Sequence, residues 1–241
     1  MKLSVGMLSL GAAVGMLTGA MSAAEEFPTK AGAVKITPIQ HASLMIEAGS
    51  QVIYIDPAQG KYDGLPPADL ILITDIHGDH MAPAVVQKLA KPGTVILAPE
   101  AVAKTVTGAR IIRNGETQTF GKWRIEAVPM YNLTRGPQPG KLYHDKGRGN
   151  GYVLTYGGKR FYFSGDTEGI PEMRALKGID VAFVCMNLPY TMTAEEAADA
   201  VRAFHPKVVY PYHYRGTDTQ AFAKALEGSG IVVRLRNWYP G

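Results

Sequence analysis

The chain has 241 residues with a formal net charge of +4, and 46% of its residues are hydrophobic. That is enough for one substantial domain with a real core, and it excludes disordered, collagen-like and coiled-coil chains. The basic residues are scattered, with no dense lysine or arginine run of the kind that marks a nucleic-acid groove, so the mild positive charge reads as a solvated surface and no nucleic-acid partner is expected.

The chain opens with Lys2, an apolar stretch over 3–20, and the small residues Ser22, Ala23 and Ala24 before Glu25 and Glu26. This is the pattern of a secretory signal peptide. A membrane anchor is the rival reading, because the stretch approaches a bilayer span in length. Its glycines and its small-residue exit favour cleavage. Residues 1–24 therefore read as a signal and 25–241 as one domain, periplasmic or secreted, with no stable membrane insertion after cleavage. The lone Cys185 excludes an internal disulfide framework. It sits in an apolar run and reads as a buried core residue.

Residues 25–33 read as an irregular lead-in. Short β-rich runs follow at 34–39, 43–47 and 51–55, with Ala48, Gly49 and Ser50 turning between the last two. The continuous apolar run at 69–74 predicts a strand buried on both faces. A helix over 83–90 begins on Pro83, which suits a first helical turn. Then come a buried strand at 94–98, a helical stretch over 99–107 and further strands within 110–128. The second half repeats the plan. Strands at 151–156 and 159–164 flank the turn Gly157-Gly158, and 179–185 is again a buried run. Thr193 and Glu196 stand three apart and predict a capping box for a helix reaching Phe204. A strand at 207–210, a last helix capped by Thr217 with Gln220 and running to about Leu226, and a strand at 232–236 close the chain. Segment 43–55 aligns with 152–163, and 68–74 with 179–185, so two related β-rich halves are expected to pack together with helices outside.

The chain holds six histidines. Two of them fall in Asp75-Ile76-His77-Gly78-Asp79-His80, directly after the 69–74 strand. Imidazole and carboxylate are the ligands expected for zinc and related divalent metals. Gly78 lets the backbone turn sharply so that neighbouring side chains converge. Three further residues lie near strand ends or in loops: Asp166 after 161–163, His213 after 208–212, and His144 in a loop rich in glycine and proline. Each alone is weak; together they could surround two metal ions. The run 147–151 loosely suggests a nucleotide loop but lacks the Lys-Ser/Thr ending and leads into a strand. It reads as a flexible loop beside the site. No Gly-x-Ser-x-Gly elbow is present for a serine hydrolase.

With Gln40-His41-Ala42-Ser43, Ile55-Asp56-Pro57, the Asp75 to His80 motif, Gly165-Asp166-Thr167 and Pro211-Tyr212-His213-Tyr214 in this order, the chain resembles the metallo-β-lactamase-fold superfamily. Within it, the chain is similar to the small metal-dependent hydrolases related to ascorbate-phosphate lactonases. The resemblance implies an α+β, four-layer αββα sandwich with a one- or two-metal centre at one edge. Zinc is the usual ion, with manganese or iron as alternatives. It also implies that His77 is a ligand of a first metal, that Asp79, His80 and His213 serve a second, and that Asp166 bridges them. His41 matches a site-edge histidine, with a core role as the alternative. Two departures matter. Asp75 stands where the family motif begins with histidine. Asn132 stands where a further histidine is expected, and His144 is favoured as the replacement because imidazole is the better ligand.

The implied chemistry is hydrolysis of a small ester, lactone or phosphodiester by a metal-bound hydroxide. Asp79 would orient the hydroxide and His41 would stand at the catalytic edge. Asn187, Tyr190 and Tyr214 are candidate pocket residues, with plain packing an equal reading for the two tyrosines. The alternatives are a periplasmic metallo-β-lactamase and a non-catalytic metal-binding protein of the same fold.

Overall fold

A computed structural model describes residues 24–239; the expected signal, save Ala24, lies outside them. Period-two burial builds the first sheet. Along β3 (Ser43–Ala48), Leu44 and Ile46 point to one apolar cluster and Met45 to another. In β5 (Ala68–Leu72), Leu70 and Leu72 join the first cluster and Ile71 the second. A strand with both faces apolar must be covered on both, and the sequence reading of 69–74 holds.

The first sheet runs in chain order through β1 (Glu25–Thr29), β2 (Gly32–Gln40), β3, β4 (Gln51–Ile55), β5, β6 (Ala90–Ala98) and β7 (Arg110–Ile111). It is antiparallel from β1 to β4 and parallel thereafter. The second comprises β8 (Thr117–Phe120), β9 (Trp123–Met130), β10 (Gly149–Tyr156), β11 (Lys159–Phe163), β12 (Val181–Cys185), β13 (Val208–Tyr212) and β14 (Val232–Val233), again as neighbours in chain order. It too begins antiparallel and turns parallel at β11–β12. The expected repeat is thus real: each half is a hairpin whose second strand starts a parallel run.

The inner faces meet in one core. Phe27 of β1 lies edge-on to Phe161 of β11 at 5.6 Å. Short helices α1 (Pro83–Leu89) and α2 (Glu100–Ala103) contribute Val86, Leu89 and Val102 to the apolar layer outside the first sheet. Helices α3 (Pro171–Arg174), α4 (Ala194–Phe204) and α5 (Thr219–Ala225) flank the second, where Tyr162 of β11 meets Phe204 of α4 edge-on at 5.7 Å. The four layers match the expected sandwich.

Four local expectations change. Residues 25–29 form a strand rather than a lead-in. This edge strand buries Phe27 alone among mostly polar neighbours, so no alternation betrays it. The 99–107 helix shrinks to α2, because Thr105 turns its hydroxyl onto the Val102 carbonyl at 2.9 Å and glycine follows at 108. The last helix is capped by Asp218, not Thr217: its carboxylate accepts from the Gln220 and Ala221 amides at 2.8 and 3.2 Å. The final strand stops at Val233, beyond which Arg234 and Arg236 turn to Glu25 on β1.

Candidate metal centre

One edge of the sandwich collects the ends of β2, β4, β5, β9, β11, β12 and β13 and the start of antiparallel β10. Loops leaving strand ends on a rigid scaffold are free to carry chemistry. Three non-glycine residues there have left-handed backbones: His41 (φ 57°), Asp56 (φ 48°) and His213 (φ 48°). Such conformations persist only where the surroundings enforce them, and they cluster at functional sites.

The predicted residues converge into three groups of mutually close ligand atoms: Asp75, His77 and His144; His80, Asp166 and His213; and His41, Asp79 and His213. Asp166 ties two of them together. Its Oδ2 lies 3.3 Å from His80 Nε2 and 3.1 Å from His144 Nε2, and its Oδ1 lies 3.5 Å from His213 Nε2. Asp79 Oδ2 is 3.3 Å from His213 Nε2. Burial works to raise the Asp166 carboxyl, but the neighbouring His213 and His80 imidazoles hold it well below the usual range. Asp79 is likewise held low against its burial, by the neighbouring His213 ring and a hydrogen bond from His41.

Hydrogen-bond accounting tests whether these residues suit a cation. His80 is fully buried, with Nδ1 2.7 Å from Asp56 Oδ2 and 2.9 Å from the Thr74 hydroxyl. An ionised carboxylate only accepts, so Nδ1 carries a proton and Nε2 is the nitrogen left to offer a lone pair to a cation in the cluster. His144 is set in the same way. Asn132 donates its amide to the Tyr190 carbonyl at 2.8 Å and to Glu168 Oε1 at 3.2 Å, which leaves Oδ1 to accept from His144 Nδ1 at 2.5 Å. His144 Nε2 then points at Asp166 Oδ2, 3.1 Å away, and is the nitrogen that a cation held there would draw on. Meanwhile His80 Nε2, His213 Nε2 and Asp166 Oδ1 are buried without a hydrogen bond. Buried polar atoms are rarely left so. Several electron-rich atoms aimed at one region are what a divalent ion satisfies, so the residues fit a metal.

Asn132 thus does not face the cluster; it orients His144, which does. His41 is completely buried, its Nε2 3.1 Å from Asp79 Oδ2, its Nδ1 2.6 Å from the Tyr239 hydroxyl, and its ring 3.8 Å from that of His213. Burial lowers its pKa. The core and site-edge readings of His41 therefore merge. Asn187 and Tyr190 line a cavity of about 290 Å³ over the cluster, with His77, Asp79, Tyr143 and Arg215. Tyr214 does not line it; its hydroxyl donates to the Arg236 carbonyl at 3.1 Å. Cys185 is buried core, as expected.

Sequence reasoning missed three residues. Asp56 fixes His80; its signal was the Ile55-Asp56-Pro57 motif at the end of β4, to which the sequence reading gave no role. Tyr239 holds His41 from almost two hundred positions away, with no local signal. Arg148 donates to both oxygens of Asp75, from Nε at 3.2 Å and from a terminal nitrogen at 2.9 Å. Its segment is no free loop: the Asn150 amide donates to the Thr74 carbonyl at 2.9 Å and the Asn150 side chain to the Ile112 carbonyl at 2.8 Å.

Residues 35–213 match the family model described as a β-lactamase superfamily domain. A metal-dependent hydrolase of Thermus thermophilus is 32% identical over 218 residues, covering 82% of this chain and 93% of its own. One from Pyrococcus abyssi is 30% identical, covering 84% and 96%. The crystal structure of a candidate metal-dependent hydrolase from Parabacteroides distasonis superposes with a TM-score of 0.85 at 45% identity, covering 89% of this chain and 98% of that one. A metallo hydrolase from Ignicoccus hospitalis, 24% identical with a TM-score of 0.69 over 86% and 96%, shares the fold. With its order of strands, its edge site and these relatives, the chain belongs to the β-lactamase superfamily and is a metal-dependent hydrolase of the metallo-β-lactamase fold.

Proposed function

We propose that the protein hydrolyses a small ester, lactone or phosphodiester in the cavity above the Asp166 cluster. The observation that carries this is the set of buried, unpartnered ligand atoms of His80, His213 and Asp166, next to a cavity that Asp166 itself lines together with Asp79, Tyr143, Asn187, Tyr190 and Arg215. In this reading Asp79, His80, Asp166 and His213 hold a divalent ion, with Asp75, His77 and His144 beside it. A bound divalent metal lowers the pKa of water toward neutrality and polarises a carbonyl or phosphoryl oxygen.

The protein's own groups do the rest. Asp79 is pinned through Oδ2 by His41, which Tyr239 holds in turn. Its other oxygen is left to orient the attacking water and take its proton. Asn187 and Arg215 offer donors on the cavity wall to the substrate's oxygens, and Tyr143 and Tyr190, edge-on at 5.0 Å, flank its apolar part. The cavity's size suits a small substrate. The leader pattern of residues 1–24 supports export before the enzyme works, a point that N-terminal sequencing of the mature protein checks.

The test is a panel of esters, lactones, phosphodiesters and a chromogenic β-lactam, run on metal-loaded protein alongside metal analysis. Turnover of a class other than the β-lactam is expected. Bound metal with no turnover of any class would overturn hydrolysis in favour of a binding protein.

A further inference from the structure

The two halves of the centre are satisfied differently. Around Asp166, His80 Nε2, His213 Nε2 and Asp166 Oδ1 lack hydrogen-bond partners. The oxygens of Asp75 do not. Asp75 is fully buried, and both its oxygens are engaged: Oδ1 accepts from Arg148 Nε, and Oδ2 accepts from a terminal Arg148 nitrogen and lies 2.9 Å from His77 Nδ1. The same guanidinium nitrogen is 3.5 Å from His77 Nε2. A planar guanidinium matches a carboxylate with two parallel hydrogen bonds, the strongest form of such a pair. Asp75, His77 and Arg148 therefore make a closed network, in which a cation of the protein already sits against the carboxylate that the first metal position would use.

The local backbone holds Arg148 there. The Arg148 amide donates to the Asp145 carbonyl at 3.1 Å, and two residues later Asn150 is bonded to Thr74, immediately before Asp75. Gly149 is required for this approach: a Cβ there would come within 2.8 Å of the Thr74 carbonyl oxygen and 2.5 Å of Met130. The run Gly147-Arg148-Gly149-Asn150-Gly151 thus brings its arginine close to the end of β5.

We propose that Arg148 is a positioning residue that makes the two metal positions unequal. It competes with a second ion for Asp75, so the position formed by Asp79, His80, Asp166 and His213 fills first and tightly. The position at Asp75, His77 and His144 fills only when Arg148 is displaced. Exchanging a partly buried, bidentate ion pair for a metal contact loses the pair and brings a second cation close to the first. This inference rests on the hydrolase reading only for the claim that the cluster binds metal.

The experiment is zinc titration of metal-free protein by calorimetry, with bound metal counted after dialysis, on the wild type, Arg148→Gln and Arg148→Lys. In the wild type one equivalent binds tightly and a second on the order of a hundredfold more weakly. In Arg148→Gln the two affinities converge. Arg148→Lys, which keeps the charge but not the fork, lies between them. Two equally tight equivalents in the wild type would overturn the proposal while leaving the hydrolase reading intact. An unchanged gap in a folded Arg148→Gln variant would do the same. Zinc uptake by none of the three would remove both this proposal and the functional reading on which it stands.

Discussion

The smallest decisive feature of the site is which nitrogen of each histidine holds its proton. Asp56 sets this for His80, and the carboxylate is itself fixed by the Thr74 amide at 2.7 Å and its hydroxyl at 2.6 Å. Burial alone raises the Asp56 carboxyl, and the His80 ring and the Thr74 donors oppose that rise. Replacing Asp56 with Asn keeps the shape but lets the His80 ring settle in the wrong tautomer. Metal affinity should fall about 10- to 100-fold, the usual effect of removing such an outer partner, as read by competition with a chromophoric chelator. Unchanged affinity would refute this role for Asp56. Cys185 gives a second residue-scale test. Burial pushes its thiol up to about 11, against roughly 8.5 when unfolded. A raised folded value means the neutral thiol's contribution is complete below the unfolded pKa and is lost as pH rises through the folded one. Between the two the unfolded chain releases its proton first, so stability declines with pH. Ellman's reagent at about pH 8 should find no thiol in native protein and one after denaturation, and Cys185→Ala should flatten the alkaline decline; a reactive native thiol would contradict the burial argument.

At the scale of single elements, α4 shows how much local sequence can settle. Thr193 accepts from the Glu196 amide at 3.1 Å and Glu196 reaches back to the Thr193 amide at 2.8 Å, the box that the spacing predicts. Ala194, Ala197, Ala198, Val201 and Phe204 line the buried face, the spacing of an amphipathic helix. Thr193→Ala should cost about 1 kcal/mol, seen as a lower denaturant midpoint with an unchanged slope, and Thr193→Ser should restore it. No loss in the alanine variant would mean that Glu196, which also pairs with Arg135 at 2.7 Å, holds the turn without its cap. The neighbouring α5 shows the limit of the same method. Thr217 and Asp218 are both good caps, and only the backbone path out of the Tyr214 turn decides that Asp218 takes the position. The strand β1 was invisible for a related reason: its pairing to β2 and the hold of Arg234 and Arg236 on Glu25 come from across the molecule.

Across the whole molecule, the centre joins two sheets that are separate in the chain. Asp75 to His80 follow the first sheet's β5, while Asp166 and His213 follow strands of the second. A metal held by all of them links the halves and should stabilise the native state alone. Saturation at about a thousandfold above the dissociation constant adds roughly 4 kcal/mol. For a chain of this size, removing the ion with a chelator should therefore lower Tm by roughly 10 °C, reversibly on adding metal back. An unchanged Tm in the chelated protein, with metal loss verified, would show that the ion does not tie the two sheets together.

The paired hairpins, the buried runs at 69–74 and 179–185, and the cluster from Asp75 to His80 were legible because each is a short-range pattern of apolar and liganding side chains. The preference for His144 over Asn132 rests on the donor chemistry of imidazole, and it is His144 that the structure turns toward Asp166. The chain alone could not show that Asn132 steers His144, that Asp56 steers His80, that Tyr239 backs His41, or that Arg148 occupies Asp75. Those pairs lie 12, 24, 198 and 73 residues apart. Hydrogen bonds between such partners depend on where the folded backbone delivers them, and no local periodicity records that. Residue type announced what could bind a metal; tertiary placement decided which lone pairs are left free to do so.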